Sequence, residues 1–183
     1  MQGNIRSFKK LVPVLDTASG QAVVTADDDI IYPEGWLQTL WSAHRESPRT
    51  IWGTRGREIL IRDEQVRPYS EWPFATRATP SARLLLTGMG GILYPSGSLP
   101  PLTRDMDAAM RLCPNADDIW FKACAMSAGA DVRQVADEVS DYPTRLRGQL
   151  DSLQAKNLHE GENDRQFRRT FSELGLLPEL LRG

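Results

Sequence analysis

Val23-Val24-Thr25-Ala26-Asp27-Asp28-Asp29-Ile30-Ile31-Tyr32-Pro33 is an apolar run that stops at three consecutive carboxylates. β-Branched residues in a brief apolar run suit a covered, pleated position, so Ala22 to Ala26 reads as a short buried strand. The acids then stand at its C-terminal end, where ligands bind in open α/β sheets. Three adjacent anions repel one another, and a hard divalent cation relieves that repulsion by taking oxygen ligands from Asp27 or Asp29 and from a substrate phosphate. Asp27, Asp28 and Asp29 are therefore read as a metal-diphosphate site, with a solvated acidic loop as the plainer alternative. An EF-hand is not expected, because Ile30-Ile31-Tyr32 offers none of the alternating acids, glycine or later glutamate that such a loop needs.

Composition sets the frame. The 183 residues suffice for one domain with a real core, and 40% apolar with 25% charged residues describes a globular protein. With 22 basic and 24 acidic residues the net charge is −2, so no overall field attracts nucleic acid or an anionic membrane. No apolar run approaches the roughly 20 residues that span a bilayer, and Met1-Gln2-Gly3-Asn4 does not begin a signal peptide. A cytoplasmic protein is expected. Cys113 and Cys124 lack zinc spacing and disulfide density, which fits a reducing compartment and structural thiols. His44 and His159 are too few for a histidine-rich metal centre.

On either side of the acids the chain alternates helical and extended patterns. Phe8, Leu11, Val12 and Leu15 predict a helix within residues 4–18, kinked or started late by Pro13, with Lys9 and Lys10 on its other face. Pro33 suits a first helical position, and Leu37, Leu40, Trp41 and His44 continue one face, where His44 takes a satisfied packing role. Thr50 to Gly53 is a strand, and Ile59 to Ile61 and Gln65 to Tyr69 flank a hairpin turn at Arg62-Asp63-Glu64. The segment from Trp72 to Pro80 reads as an irregular wall or loop. Ala82 to Leu86 is another strand, and the glycines after it, Gly88, Gly90 and Gly91, allow close backbone approach to a ligand or simply a tight turn. No Gly-Lys-Ser/Thr follows, which excludes a Walker loop.

Thr103 to Leu112 reads as a helix capped by Thr103. In Cys113-Pro114-Asn115-Ala116-Asp117-Asp118-Ile119-Trp120, Asn115 is a good N-cap and the two acids fall in the first turn, where the helix dipole alone would explain them. A catalytic carboxylate there would be held by a packed helix, as general-base catalysis requires. Ile119, Ala123 and Met126 form an apolar stripe, Gly129 stops the helix, and Val132 to Ala136 is a last strand. This places a core over residues 4–136. The polar extension, 137–183, carries Arg145, Arg147, Lys156, Arg165, Arg168 and Arg169, a loop over 157–164, and a final helix with Phe167, Phe171 and Leu174 closed by Gly175.

Three blocks together, Thr25 to Pro33, Gly88 to Pro95 and Asn115 to Trp120, resemble bacterial family 2-like glycosyltransferases of the GT-A fold, over roughly residues 4–170. The resemblance implies an α/β, GT-A-like sandwich with a mixed central sheet. It implies a nucleotide-sugar donor, usually a UDP-sugar, a glycan or glycolipid acceptor, and Mn²⁺ or Mg²⁺ held by Asp27 and Asp29 against the leaving diphosphate. In the same way it implies Asp118 as the base in an inverting displacement, oriented by Asp117, with Trp120 on the acceptor side and Gly90 and Gly91 against the sugar. The setting would be polysaccharide or glycoconjugate synthesis, in the cytoplasm or peripherally at the inner membrane face. Such domains begin with βα units that bind the base, whereas this chain has one helix-like segment before Asp27. It is expected to lack those units, as a fragment or as a chain that completes its sheet with another copy. Two rival functions use the same residues: a non-catalytic binding or assembly domain, and a metal-dependent phosphotransfer or hydrolytic enzyme.

Overall fold

The computed structural model describes residues 4–137, 142–143 and 161–182. Arg145, Arg147, Lys156 and residues 157–160 of the expected loop lie outside the described residues. The architecture is mixed α/β. Its main sheet contains β1 (Val23–Thr25), β7 (Ile92–Tyr94), β2 (Ile51–Gly53) and β8 (Val132–Gln134), in that spatial order. β7 runs antiparallel to both its neighbours and β2 is parallel to β8, so the sheet is mixed as expected. β3 (Gly56–Glu58) and β6 (Leu84–Leu86) form a separate antiparallel ribbon in which Arg57 lies opposite Leu85. A small hairpin joins β4 (Ile61–Arg62) to β5 (Gln65–Val66) through Asp63 and Glu64, both with left-handed backbone, as a two-residue hairpin turn demands.

The helices cover these sheets. A 3-10 turn at Arg6–Lys10 precedes α1 (Val12–Leu15), so the first helix starts late, with Pro13 tolerated in its first turn. α2 (Trp36–Glu46) follows β1, α3 (Met106–Leu112) leads to α4 (Asp117–Ser127), and α5 (Glu162–Glu173) and α6 (Leu177–Arg182) close the described chain. Every residue of α4 from Ile119 to Met126 is buried, so this helix is the spine of the core rather than a surface amphipath. Its one cation in that stretch, Lys122, donates to the Ser81 carbonyl at 2.6 Å, and burial draws its pKa down to about 8. Gly129, at φ +64°, ends the element as expected. Among the described residues no helix is long and apolar enough to cross a membrane.

Several local expectations are corrected. Pro33 stands three residues before α2, which begins after Gly35 in a left-handed turn (φ +82°). Along α2 only Leu40 is buried, while Leu37 and Trp41 are exposed; His44 packs beside Trp41, and its Nδ1 has no hydrogen-bond partner among the described residues. Asp105, not Thr103, caps α3 by accepting from the Ala108 N–H at 2.9 Å. Ala116, not Asn115, is the N-cap residue of α4. Ala82 belongs to a 3-10 turn, Ser81–Arg83, ahead of β6, and Glu162, Asn163 and Asp164 are the first turn of α5 rather than loop. Trp72 is a core residue, not a wall: its indole N–H donates to the Arg67 carbonyl at 2.8 Å and its ring meets Phe167 edge-on. Cys113 and Cys124 are buried free thiols, pushed up to about 12 by burial.

Gly91 shows why a side chain is excluded beside the sheet. Its φ is +86°, and a Cβ there would penetrate the Trp36 indole, whose N–H donates to the Gly90 carbonyl at 2.8 Å. Trp36 in turn stacks on Tyr32, with centroids 4.2 Å apart. Gly91→Ala is expected to destabilise the fold by about 2–4 kcal/mol, from the left-handed backbone and the clash together, read as a lower urea midpoint; an unchanged midpoint would refute the packing assignment.

Candidate active site

Segments from distant parts of the chain meet at one cleft of about 270 Å³. The 3-10 turn contributes Lys10, the end of β1 contributes Asp27, and the start of α4 contributes Asp117 and Asp118. Arg55 and Arg57 come from the β3 segment, and Asn163 from the first turn of α5. The position of β1 explains Asp27: the strand ends at Thr25, whose hydroxyl bonds the Ile92 carbonyl, and the chain then leaves the sheet. Tyr32 fixes that exit. Its hydroxyl accepts from the Asp27 N–H at 3.0 Å and donates to the Met89 carbonyl at 3.2 Å.

The carboxylates converge on an ammonium group. Lys10 Nζ lies 3.1 Å from Asp27 Oδ1 and 3.4 Å from Asp117 Oδ2. Burial works against its charge, but Asp118, Asp117 and Asp27 outweigh that and hold the Lys10 pKa above its ordinary value. Asp118 stands beside this pair, and its Oδ1 accepts from the Gly88 N–H at 3.0 Å. Burial, followed by the Asp117 charge, pushes the Asp118 carboxyl up to about 7, while Lys10 and the Gly88 N–H pull it down. Asp117 itself is 7% exposed. The site therefore holds a carboxyl poised near neutral pH, within a cleft and beside a fixed positive charge, as a general base requires.

The expected residues do not all assemble. Asp27, Asp117 and Asp118 line the cleft; Asp28 is exposed, and neither it nor Asp29 is among the lining residues. The cation that meets Asp27 is Lys10, which sequence periodicity assigned to a solvated helix face. Trp120 does not form an acceptor wall: it is fully buried and its indole N–H donates to the Thr103 carbonyl. Gly90 and Gly91 are closed off by packing, since a Cβ at Gly90 would strike Arg55 and one at Gly91 would strike Trp36. Gly88 is the glycine at the cleft, because a Cβ there would meet Lys10 Nζ and Asp118 Oδ1.

Asn163 and Asp164, left without a role by the sequence, are placed by α5: Asn163 lines the cleft and Asp164 accepts from the Tyr69 N–H at 2.7 Å.

Among the described residues no group of three or more His, Cys, Asp or Glu is placed to hold a metal ion by itself. The donor chemistry nevertheless suits Mg²⁺ or Mn²⁺, which take oxygen ligands and are commonly bound through one or two carboxylates completed by substrate phosphates. Lys10 bridges Asp27 and Asp117, and Arg55 and Arg57 line the same cleft. Comparison with protein-family models, curated proteins and solved structures returned no match.

The raised Asp118 pKa has a consequence for stability. The folded protein binds this proton more tightly than the unfolded chain, so its stabilising contribution is complete below the unfolded pKa of about 4 and lost as pH rises through about 7. Asp118→Asn keeps an acceptor for Gly88 without the charge. It is expected to melt higher than wild type at pH 8 and within error of it at pH 4; equal melting at both pH values would contradict the shifted carboxyl.

Proposed function

We propose that this chain is a metal-dependent, inverting glycosyltransferase domain of GT-A-like architecture, transferring a sugar from a nucleotide-sugar, of which UDP-sugars are the first candidates, to a hydroxyl acceptor. The observation that carries the reading is the placement of Asp118: the carboxyl is held by the Gly88 N–H in the same cleft as Asp27, with Lys10 between the acids. A mixed sheet with an acid at the end of β1 supports it, as does the resemblance of the three sequence blocks.

In this scheme the acceptor hydroxyl attacks the anomeric carbon and Asp118 takes its proton, which needs a basic carboxylate within hydrogen-bond reach. The bond from that carbon to the diphosphate breaks, and the diphosphate leaves with the electron pair. Attack opposite the leaving group inverts the anomeric configuration. The Gly88 N–H holds Asp118 by a hydrogen bond, and the neighbouring Asp117 charge makes it more basic. Lys10 places a positive charge where negative charge develops on the leaving group. Asp27, which of the three consecutive acids is the one lining the cleft, would hold Mn²⁺ or Mg²⁺, which when bound offsets charge on the diphosphate.

Asp118→Asn is expected to lower transfer by roughly 100-fold or more while UDP binding stays within error of wild type. In the wild type, kcat/KM for transfer should rise with pH through about 7 and level off above it, because the free base is the active form. Transfer retained by the variant would remove Asp118 as the base. Sugar released from the donor with no acceptor present would point to hydrolysis instead.

A further inference from the structure

The acids and Lys10 carry the proposed transfer, which leaves the two arginines that line the same cleft unexplained. Arg55 and Arg57 are two residues apart along an extended segment, so their side chains share a face, and both line the cleft with Asp117 and Asp118. The pairing of β3 with β6 fixes their register, with Leu85 opposite Arg57, and the Thr87 N–H donating to the Arg55 carbonyl at 3.0 Å continues the ladder. Neutral groups hold the guanidinium of Arg57: it donates to the Trp72 carbonyl at 2.7 Å and stands over the rings of Phe74 and Tyr69, 4.6 and 5.5 Å from their centroids. Arg55 donates to the Thr87 hydroxyl at 2.9 Å and lies 5.0 Å from the Phe74 centroid. Among the described residues no carboxylate forms an ion pair with Arg57, although Asp117 and Asp118 line the same cleft.

A structural role alone does not account for the charge of Arg57 in this cleft. Aromatic stacking and carbonyl bonds would orient a guanidinium without neutralising it, so the positive charge remains directed at whatever fills the cleft. Planar, pre-oriented guanidinium groups match carboxylate and phosphate oxygens better than any neutral sugar hydroxyl does. The carboxylates in the same cleft would repel such an anion unless it docks on the guanidinium, which fixes its orientation as well as its affinity.

We propose that the acceptor bound in this cleft carries an anionic group, a carboxylate or a phosphate, which docks on Arg57 and presents a hydroxyl to Asp118. The assignment rests on the transferase reading for the word acceptor. The anion subsite itself rests on Arg57.

The test is binding without any donor. Wild-type protein, Arg57→Gln and Arg57→Lys are titrated with methyl glucuronide, glucose 6-phosphate and methyl glucoside, followed by the arginine Nε–H signals in NMR spectra. At least one anionic sugar is expected to bind about tenfold more tightly than the neutral one, the size of a lost charged hydrogen bond. Arg57→Gln should abolish that preference and Arg57→Lys should keep part of it, since an ammonium retains the charge but not the fork. A preference for the glucuronide alone assigns a carboxylate, and one for the phosphate ester alone assigns a phosphate. Equal or absent binding of all three by the wild type, or an undiminished preference in Arg57→Gln, overturns the proposal. UDP is titrated in parallel: its affinity should be the same in wild type and Arg57→Gln, and a selective loss of UDP binding would give the arginines to the donor diphosphate and overturn the acceptor assignment. An anion preference in a protein that transfers no sugar supports the subsite and counts against the transferase reading.

Discussion

The ammonium of Lys10 is the interaction on which the site depends. Asp27 leaves one end of the sheet and Asp117 opens a buried helix, and without a cation between them these elements would bring like charges together in a half-buried cleft. Lys10 lies at the end of a short 3-10 turn whose Phe8 is fully buried, so packing of the N-terminal segment and charge balance at the cleft are one structural event. The same contact sets the chemistry. Lys10 lowers an Asp118 carboxyl that burial and Asp117 raise, and the opposition leaves it near neutrality, between a permanently charged surface acid and a permanently protonated buried one.

Around that contact the fold supplies rigidity from several directions. α4 is buried along most of its length, so the two acids of its first turn cannot drift. Gly88 lets the backbone come close enough to bond Asp118, and Tyr32 ties the Asp27 backbone to the Met89 carbonyl. α5 reaches the same cleft from far along the chain through Asn163, while Asp164 anchors the Tyr69 backbone and Gln166 accepts from the Asn115 N–H. One cleft results, lined both by carboxylates around Lys10 and by guanidinium groups packed on aromatic rings.

Much of the scaffold was legible in the sequence because its signals are local. Three strands of the main sheet (β1, β2 and β8), a hairpin turn around Asp63-Glu64, the stop at Gly129 and the final helix with Phe167 and Phe171 follow from short apolar runs, turn residues and helical spacing. So does the position of Asp117 and Asp118 in a first turn. In contrast, β7 carried no such signal beside its glycines, and Arg62 belongs to β4 rather than to the turn. What was not legible depends on contacts between distant segments. Lys10 looked like a solvated face because an α-helical wheel was assumed, whereas the 3-10 winding and the break at Leu11 turn it into the cleft. Trp72 read as part of a wall or loop because aromatics beside prolines suggest one, and the family resemblance implied Trp120 on the acceptor side, yet each finds a backbone carbonyl for its N–H and is buried whole. Gly90 and Gly91 signalled close approach correctly but not by what; Arg55 and Trp36 occupy that space. The role of Arg57 carried no sequence signal, because its meaning comes from the register of β3 on β6 and the rings packed above it.

The central claim is that the acid cluster around Lys10 belongs to a nucleotide-sugar site completed by a divalent cation. Calorimetric titration of UDP into the protein, with Mn²⁺ present and again after its removal by a chelator, addresses it directly, alongside a solution mass. Saturable UDP binding that needs the metal is expected. Absence of binding in both conditions would contradict it, and self-association under those same conditions would favour an assembly module instead.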